Sequence, residues 1–415
     1  MTQKQTSDTA HVPATGQFID LARDDQGSER NDYDQAPPRA VYIHIPFCTN
    51  KCHYCDFNSY VVQGQPVMNY LHALEREMEL TVKHLPAERI ESIFVGGGTP
   101  TVLTPEQMRF FLHTVNTYFA DRTADCEITM EANPGTTDPD KLAAMREGGV
   151  NRISFGVQSF DNALLSAIGR IHTTDDVYRS IENARAAGFD NLSIDLMLGL
   201  PNQTTAKMNA TLDEALKLNL EHYSAYSLKI EENTLFHKLY HANKLPLPDE
   251  DDELEMYETV MKRMKQAGYG QYEISNFAKP GRESRHNRTY WRNLAYYGLG
   301  AGAHGYAQRQ RHVNIKGVQA YIDACKNGLP LKEQHAVSRQ EAMEDFMMVG
   351  LRLLSGVCNS EFHRMFGIRM EDRFGEKIGS LVERGLLVAE DDGYRLSERG
   401  ILFGNDVFGS FLEDE

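Results

Sequence analysis

Six short runs rich in β-branched residues, at 41–46, 92–98, 127–133, 152–159, 192–200 and 222–230, recur along the first half of this 415-residue chain. Longer stretches with helical apolar spacing lie between and after them, at 68–85, 105–118, 138–147, 174–187, 204–218 and 252–267. Strand–helix alternation on this scale restricts the chain to βαβ units built around a parallel sheet. Right-handed crossovers then curl the units into a full or partial (β/α) barrel. A doubly wound open sheet is the alternative, but no Gly-x-Gly-x-x-Gly turn is expected to follow a strand. Barrels gather their chemistry at the C-terminal ends of the strands. The unusual residues fall there: three cysteines after the first run, Gly96-Gly97-Gly98-Thr99 after the second and Glu131 ending the third. Gln158 ends the fourth and Asp195 lies within the fifth.

Cys48, Cys52 and Cys55 stand in the spacing CxxxCxxC. Three thiolates can hold three corners of a [4Fe–4S] cluster and leave one iron open to a small molecule, whereas clusters that only carry electrons usually have four cysteines. A structural zinc site needs four ligands, usually as two separated pairs. No second CxxC exists in the chain, and His53 would have to fold back sharply to serve as the fourth. A disulfide does not suit six scattered cysteines in a chain without a secretory signal. Cys126, Cys325 and Cys358 read as small buried apolar side chains.

Residues 1–36 carry seven acidic and three basic side chains and no apolar segment, which predicts a disordered tail rather than a signal or mitochondrial presequence. No window approaches the ~20 apolar residues that span a bilayer, so a reducing cytoplasm is the expected compartment. The formal charge of −16 opposes extended contact with nucleic acid, which runs on Lys and Arg. Residues 37–335 are expected to form the barrel core and its extension, and 336–415 a small winged-helix-like α+β domain. That last segment reads as helices at 343–354, 359–366 and 369–384, then a hairpin turning at Asp392-Gly393. Residues 340–415 hold 16 acidic and 8 basic residues, which favours a protein-facing or lid role over DNA.

The cysteine run and its order resemble the radical S-adenosylmethionine (SAM) superfamily. That resemblance implies SAM on the open iron and a 5′-deoxyadenosyl radical made on reduction, chemistry that the cofactors carry. Gly97 and Gly98 let the backbone approach a ligand closely, and Glu131 offers a carboxylate acceptor for hydroxyls. Gln158 and Arg170 supply amide and guanidinium donors for a carboxylate. Asp195 is an acid embedded in an apolar strand, a costly placement unless it is paired or faces a polar cavity.

The whole order of motifs is similar to the coproporphyrinogen-oxidase-like branch of that superfamily: Tyr-x-His-Ile-Pro-Phe-Cys, Gly-Gly-Gly-Thr-Pro-Thr, Glu-Ala-Asn-Pro, Gly-Val-Gln-Ser-Phe, Gly-Arg-x-His and Asp-Leu-Met-x-Gly-Leu-Pro. By that resemblance Tyr42, Gly98, Thr99 and Glu131 contact cluster-bound SAM, while Gln158, Arg170 and Asp195 match positions for a second SAM in the decarboxylating enzymes. Two departures stand out. Phe57 occupies the place where the oxidases carry a fourth cysteine, and Arg285-His-Asn-Arg-Thr-Tyr-Trp291 contains an HNxxYW signature like that of the HemW haem-chaperone branch. A neutral imidazole can ligate haem iron and aromatic rings can pack on a porphyrin, so His286, Tyr290 and Trp291 are the haem candidates. His304, in a glycine-rich stretch, is expected beside them. The expected function is haem binding and transfer to an acceptor protein, with a reductant serving the cluster and a homodimer compatible with the chain. Oxygen-independent oxidative decarboxylation of coproporphyrinogen III is the alternative, so the scaffold does not by itself declare an enzyme.

Overall fold

A computed structural model describes residues 37–412, so the expected N-terminal tail lies outside the described residues. Seven strands run parallel at the centre of one twelve-stranded sheet, in the order Tyr296–Leu299, Ala40–Ile45, Ile90–Gly97, Arg122–Ala132, Arg152–Gln158, Leu192–Leu198, His222–Ser227. The last six of these are the six runs read from the sequence. Antiparallel strands extend both edges: His304–Ala307, Gln310–Asn314 and Leu331–Ala336 on one side, Asn276–Ala278 and Gly270–Glu273 on the other. The two outer edges do not pair with each other. The barrel is therefore partial, the second of the two forms expected.

The helices that cover the sheet form where local chemistry starts them. Thr104 and Gln107 make a capping box with Pro105 in the first turn, and the helix Pro105–Tyr118 follows. Val67–His84 buries Tyr70, Leu71, Leu74, Met78 and Thr81 along one stripe against the sheet. Asp249 caps Glu250–Gln266, whose first turn is acidic and last turn basic, as the helix dipole favours.

The C-terminal segment has its own core, drawn from Val337 onward and centred on Phe346, Met347, Phe362, Phe374 and Phe411. Its helices Asn359–Phe366 and Met370–Glu383 pack beside a three-stranded sheet of Val357–Cys358, Gly393–Leu396 and Leu387–Glu390. Two boundaries differ from expectation. The first helix is Arg339–Gly350, because the Ser338 side chain accepts the Glu341 N–H and starts it four residues early. The hairpin turns at Asp391-Asp392, since Gly393 is already paired with Glu390.

Contrary to expectation, one Gly-x-Gly-x-x-Gly motif, Gly300-x-Gly302-x-x-Gly305, does follow a strand, Tyr296–Leu299, but it leads into the antiparallel strand His304–Ala307. It has no helix N-terminus to receive a pyrophosphate, so it is not a dinucleotide site.

Candidate functional site

Cys48 ends a two-residue strand, Phe47–Cys48, that pairs with Tyr60–Val61 and so closes the cysteine loop at its base. Beneath it, the Tyr42 hydroxyl meets His44 Nδ1 at 2.9 Å and His44 Nε2 meets the Asn58 carbonyl at 2.8 Å. The Asn58 amide in turn donates to the Ala301 carbonyl at 2.8 Å. The glycine run fastens the other flank. The N–H of Gly98 donates to Ile45 O at 2.9 Å and that of Thr99 to Phe47 O at 2.7 Å. A Cβ on Gly98 would lie 2.5 Å from the Phe47 carbonyl oxygen, and Gly97 sits at φ +106° with the His44 ring where its Cβ would be. Only glycine permits that approach.

The far side of the loop is tied to the end of the helix Asn162–Ala167. The His53 N–H donates to Ile168 O at 3.1 Å, its Nδ1 meets Ala167 O at 3.1 Å, and Asn50 donates to Gly169 O at 2.9 Å. His53 is thus turned onto that helix and does not line the cavity bordered by the cysteines.

That cavity, about 410 Å³, gathers Cys48, Cys52, Cys55, Gly97, Gly98, Thr99, Glu131, Gln158, Arg170 and Asp195. Ten of the eleven residues singled out for the cluster and SAM therefore meet in one place. Tyr42 does not line it: its ring stacks on Phe94 at 6.3 Å one layer below, so it reaches the site through His44. Gln158, Arg170 and Asp195 border the same space as the thiols. A larger open groove of about 740 Å³, between Tyr226, Tyr257 and Phe403, adjoins it at Tyr226 and holds no thiol.

A chain of hydrogen bonds crosses the cavity wall. Arg170 Nη1 donates to Asn133 Oδ1 at 2.8 Å, Asn133 Nδ2 to Thr99 Oγ1 at 2.7 Å, and Thr99 Oγ1 to Cys48 Sγ at 3.6 Å. Arg170 borders the cavity, and its Nε is buried without a hydrogen-bond partner. Gln158 holds φ +68°, a strained setting for a non-glycine residue that recurs at ligand sites.

The acids behave as a pair. Burial and the nearby Asp195 push Glu131 up to about 7, against the pull of the Gly97 N–H at 3.1 Å. Burial likewise raises Asp195, whose Oδ1 accepts from Ser154 Oγ at 3.3 Å. Two carboxyls that resist ionising together favour a cation or hydroxyl donors between them. Burial also raises the Cys48 and Cys55 thiols, which a metal would reverse by holding them as thiolates. Among the described residues no three His, Cys, Asp or Glu side chains are gathered closely enough for a single metal ion. A cubane instead takes each thiolate at a different iron.

Below the acids, Arg152 is 2% exposed with its Nε unpartnered. Asn133, Arg152, His44, Asn58 and Tyr226 are site or support residues that sequence reasoning missed. Asn133 had a signal in its Asn-Pro-Gly context, but that context reads as a turn.

The HNxxYW residues lie elsewhere. Ser284 caps the short helix Arg285–Trp291, which closes the opposite end of the barrel. His286 is 1% exposed; its Nδ1 meets Ser92 Oγ at 3.0 Å, its Nε2 meets the Tyr290 hydroxyl at 2.9 Å, and its ring stacks on Phe94. Burial and then Arg152 push its pKa down to about 3. With both ring nitrogens engaged, His286 has no lone pair facing an open space, which counts against it as an axial ligand. Ser92 lies five residues before Gly97 on one strand, roughly 17 Å at ~3.3 Å per residue. Tyr290 and Trp291 instead border a separate cavity of about 290 Å³, together with His304.

Comparison with known proteins follows this geometry. Residues 42–215 match the radical SAM superfamily and 337–403 match the HemN C-terminal domain. The chain is 45% identical to the "Heme chaperone HemW" of Bacillus subtilis over 90% of its own length and 99% of that protein. It is 36% identical to the Escherichia coli protein of the same name, over 91% and 99%. The coproporphyrinogen III oxidase (HemN) of Escherichia coli, a solved radical SAM enzyme, shares the fold with a TM-score of 0.79 over 91% of both chains at 24% identity. The chain belongs to the radical SAM superfamily and, within it, to the family of the heme chaperone HemW.

Proposed function

We propose that this protein binds haem and hands it to an acceptor protein, with a [4Fe–4S] cluster and SAM in the cysteine cavity. The observation that carries the proposal is Phe57. It stands at the mouth of that cavity, 60% exposed, where the decarboxylating branch resembled by the sequence would present a fourth thiol. The relatives named for haem chaperoning align over nine-tenths of the chain.

Cys48, Cys52 and Cys55 would hold three irons, and the Arg170 guanidinium at the cavity wall suits the carboxylate of SAM. Glu131 and Asp195 would sit near its positive charge and hydroxyls. When bound, these groups supply one-electron chemistry. The chain's own part is to orient the ligand through Arg170–Asn133–Thr99, to hold a proton on the acid pair and to limit water. A reducing cytoplasm suits such thiolates, and a cellular reductant would serve the cluster. No helix of the described residues is long and apolar enough to cross a membrane. We divide the chain into a barrel with its extension to 335 and a C-terminal domain from 336, and leave a homodimer as a form that haem or cluster loading would control.

The test places haemin and coproporphyrinogen III side by side on one anaerobically reconstituted preparation. Stable haem absorbance without protoporphyrinogen formation is the expected result. Catalytic conversion of coproporphyrinogen would overturn the proposal in favour of an oxidase.

A further inference from the structure

The HNxxYW helix points to where haem would sit, but its histidine is not placed to hold the iron. The 290 Å³ cavity lies where the barrel extension meets the C-terminal module, between the helix Arg285–Trp291, the strands Tyr296–Leu299, His304–Ala307 and Gln310–Asn314, and Val349 of Arg339–Gly350. Its volume is at the small end of the about 300–1,000 Å³ range of ligand pockets. A porphyrin would insert one edge and leave the other outside, as suits a cargo meant to leave again. Tyr290, Trp291, Tyr296 and Tyr306 offer aromatic surface, with Tyr290 and Tyr296 edge to face at 4.7 Å.

Polar groups at the cavity match the rest of a haem. His304 is the exposed imidazole of the lining. Arg311 lies 5.7 Å over the Tyr306 ring and spends one Nη on Asp345 at 2.6 Å, leaving further guanidinium donors for a propionate. Trp291 Nε1–H is buried with no acceptor while its ring lies under the Arg352 guanidinium at 4.3 Å. An aromatic slot with an accessible imidazole and a guanidinium has the recognition chemistry of an iron porphyrin carrying carboxylates.

We propose that His304, and not His286, is the axial ligand of bound haem, in a site formed by Trp291, Tyr290, Tyr306 and Arg311. The assignment rests on the chaperone function proposed above. Burial, with Lys316 and then Arg311 nearby against the opposing Glu333, holds His304 below the usual histidine range, so its ring nitrogen is unprotonated at neutral pH. His286 becomes a positioning residue: its Nε2 fixes the Tyr290 hydroxyl and so the slot wall.

The experiment titrates haemin and iron-free protoporphyrin IX into the cluster-loaded wild type, His304→Ala and His286→Ala. Circular dichroism checks folding, and Soret absorbance with resonance Raman reports the iron–imidazole bond. The expected result for His304→Ala is loss of the iron–imidazole signature and at least tenfold weaker haemin binding. Protoporphyrin IX binding should stay within about twofold, and added imidazole should restore the signature. His286→Ala should keep the signature while weakening both porphyrins together. The assignment is overturned if His304→Ala retains the iron–imidazole bond, or if it weakens haemin and protoporphyrin equally. Failure of the wild type to take up haemin would instead refute the chaperone function, and the assignment would fall with it.

Discussion

Glu77 gives a pH dependence that can be worked from the structure. It is 2% exposed and accepts from the Tyr321 hydroxyl at 2.5 Å, the Asn314 amide at 2.6 Å and the Gly300 N–H at 2.8 Å. These bonds join the helix Val67–His84 to the loop that also receives Asn58. Burial nonetheless pushes the carboxyl up from 4.5 to about 7. Because the folded pKa exceeds the unfolded one, the folded state keeps its proton longer, and stability is lost as pH rises from the unfolded value through the folded one. At 1.36 kcal/mol per unit, the full loss is roughly 3 kcal/mol, of which about 1 kcal/mol falls between pH 6 and pH 8. Glu77→Gln removes the ionisation and keeps the shape. It also sets an amide N–H against one donor, which costs about 1–3 kcal/mol at every pH. Urea unfolding of both proteins at pH 6, 7 and 8 separates the two effects. The wild type should lose about 1 kcal/mol of its lead over the variant across that range. A stability difference that stays constant with pH would show that Glu77 is already ionised in the fold, and the reasoning about its burial would be wrong.

Other outcomes follow from the site. Gly98→Ala should lower stability by at least about 3 kcal/mol, since the added Cβ meets backbone oxygen and nitrogen of Phe47 that cannot give way; thermal unfolding measures it, and a change under about 1 kcal/mol would contradict the packing described. Asn133→Ala should leave iron content unchanged but weaken SAM about 10- to 100-fold, the worth of the charge-assisted bond that aims Arg170, read by anaerobic equilibrium dialysis. Unaltered SAM affinity would mean that the Arg170–Asn133–Thr99 chain does not orient the ligand.

Much of the barrel was legible because parallel strands buried on both faces read as continuous apolar runs, and their helices carry an unbroken stripe. The edge strands were not legible. His304–Ala307 and Gln310–Asn314 are four and five residues long, and their turn uses Gln308 and Arg309 at φ +53° and +57° instead of Asn-Gly. The helix Arg285–Trp291 is likewise short, with His286 its one buried residue, so it shows no periodicity.

In the site, residues carried by strand ends and glycine turns could be found because their chemistry is conspicuous. Asn58 could not, since a side chain that bridges two distant loops leaves no local pattern, and Asn133 was hidden in an Asn-Pro-Gly context that reads as a turn. His286 shows the opposite limit. A histidine beside tyrosine and tryptophan looks like a ligand in sequence, whereas the fold buries it and engages both its ring nitrogens in hydrogen bonds.

The most direct measurement is spectroscopic, on anaerobically prepared protein. Iron and sulfide analysis with electron paramagnetic resonance of the reduced sample should give about four irons per chain and a signal that shifts when SAM is added. The same signal should vanish in Cys55→Ala. Zinc or no metal in the cysteine loop, or a cluster whose signal ignores SAM, would contradict the account.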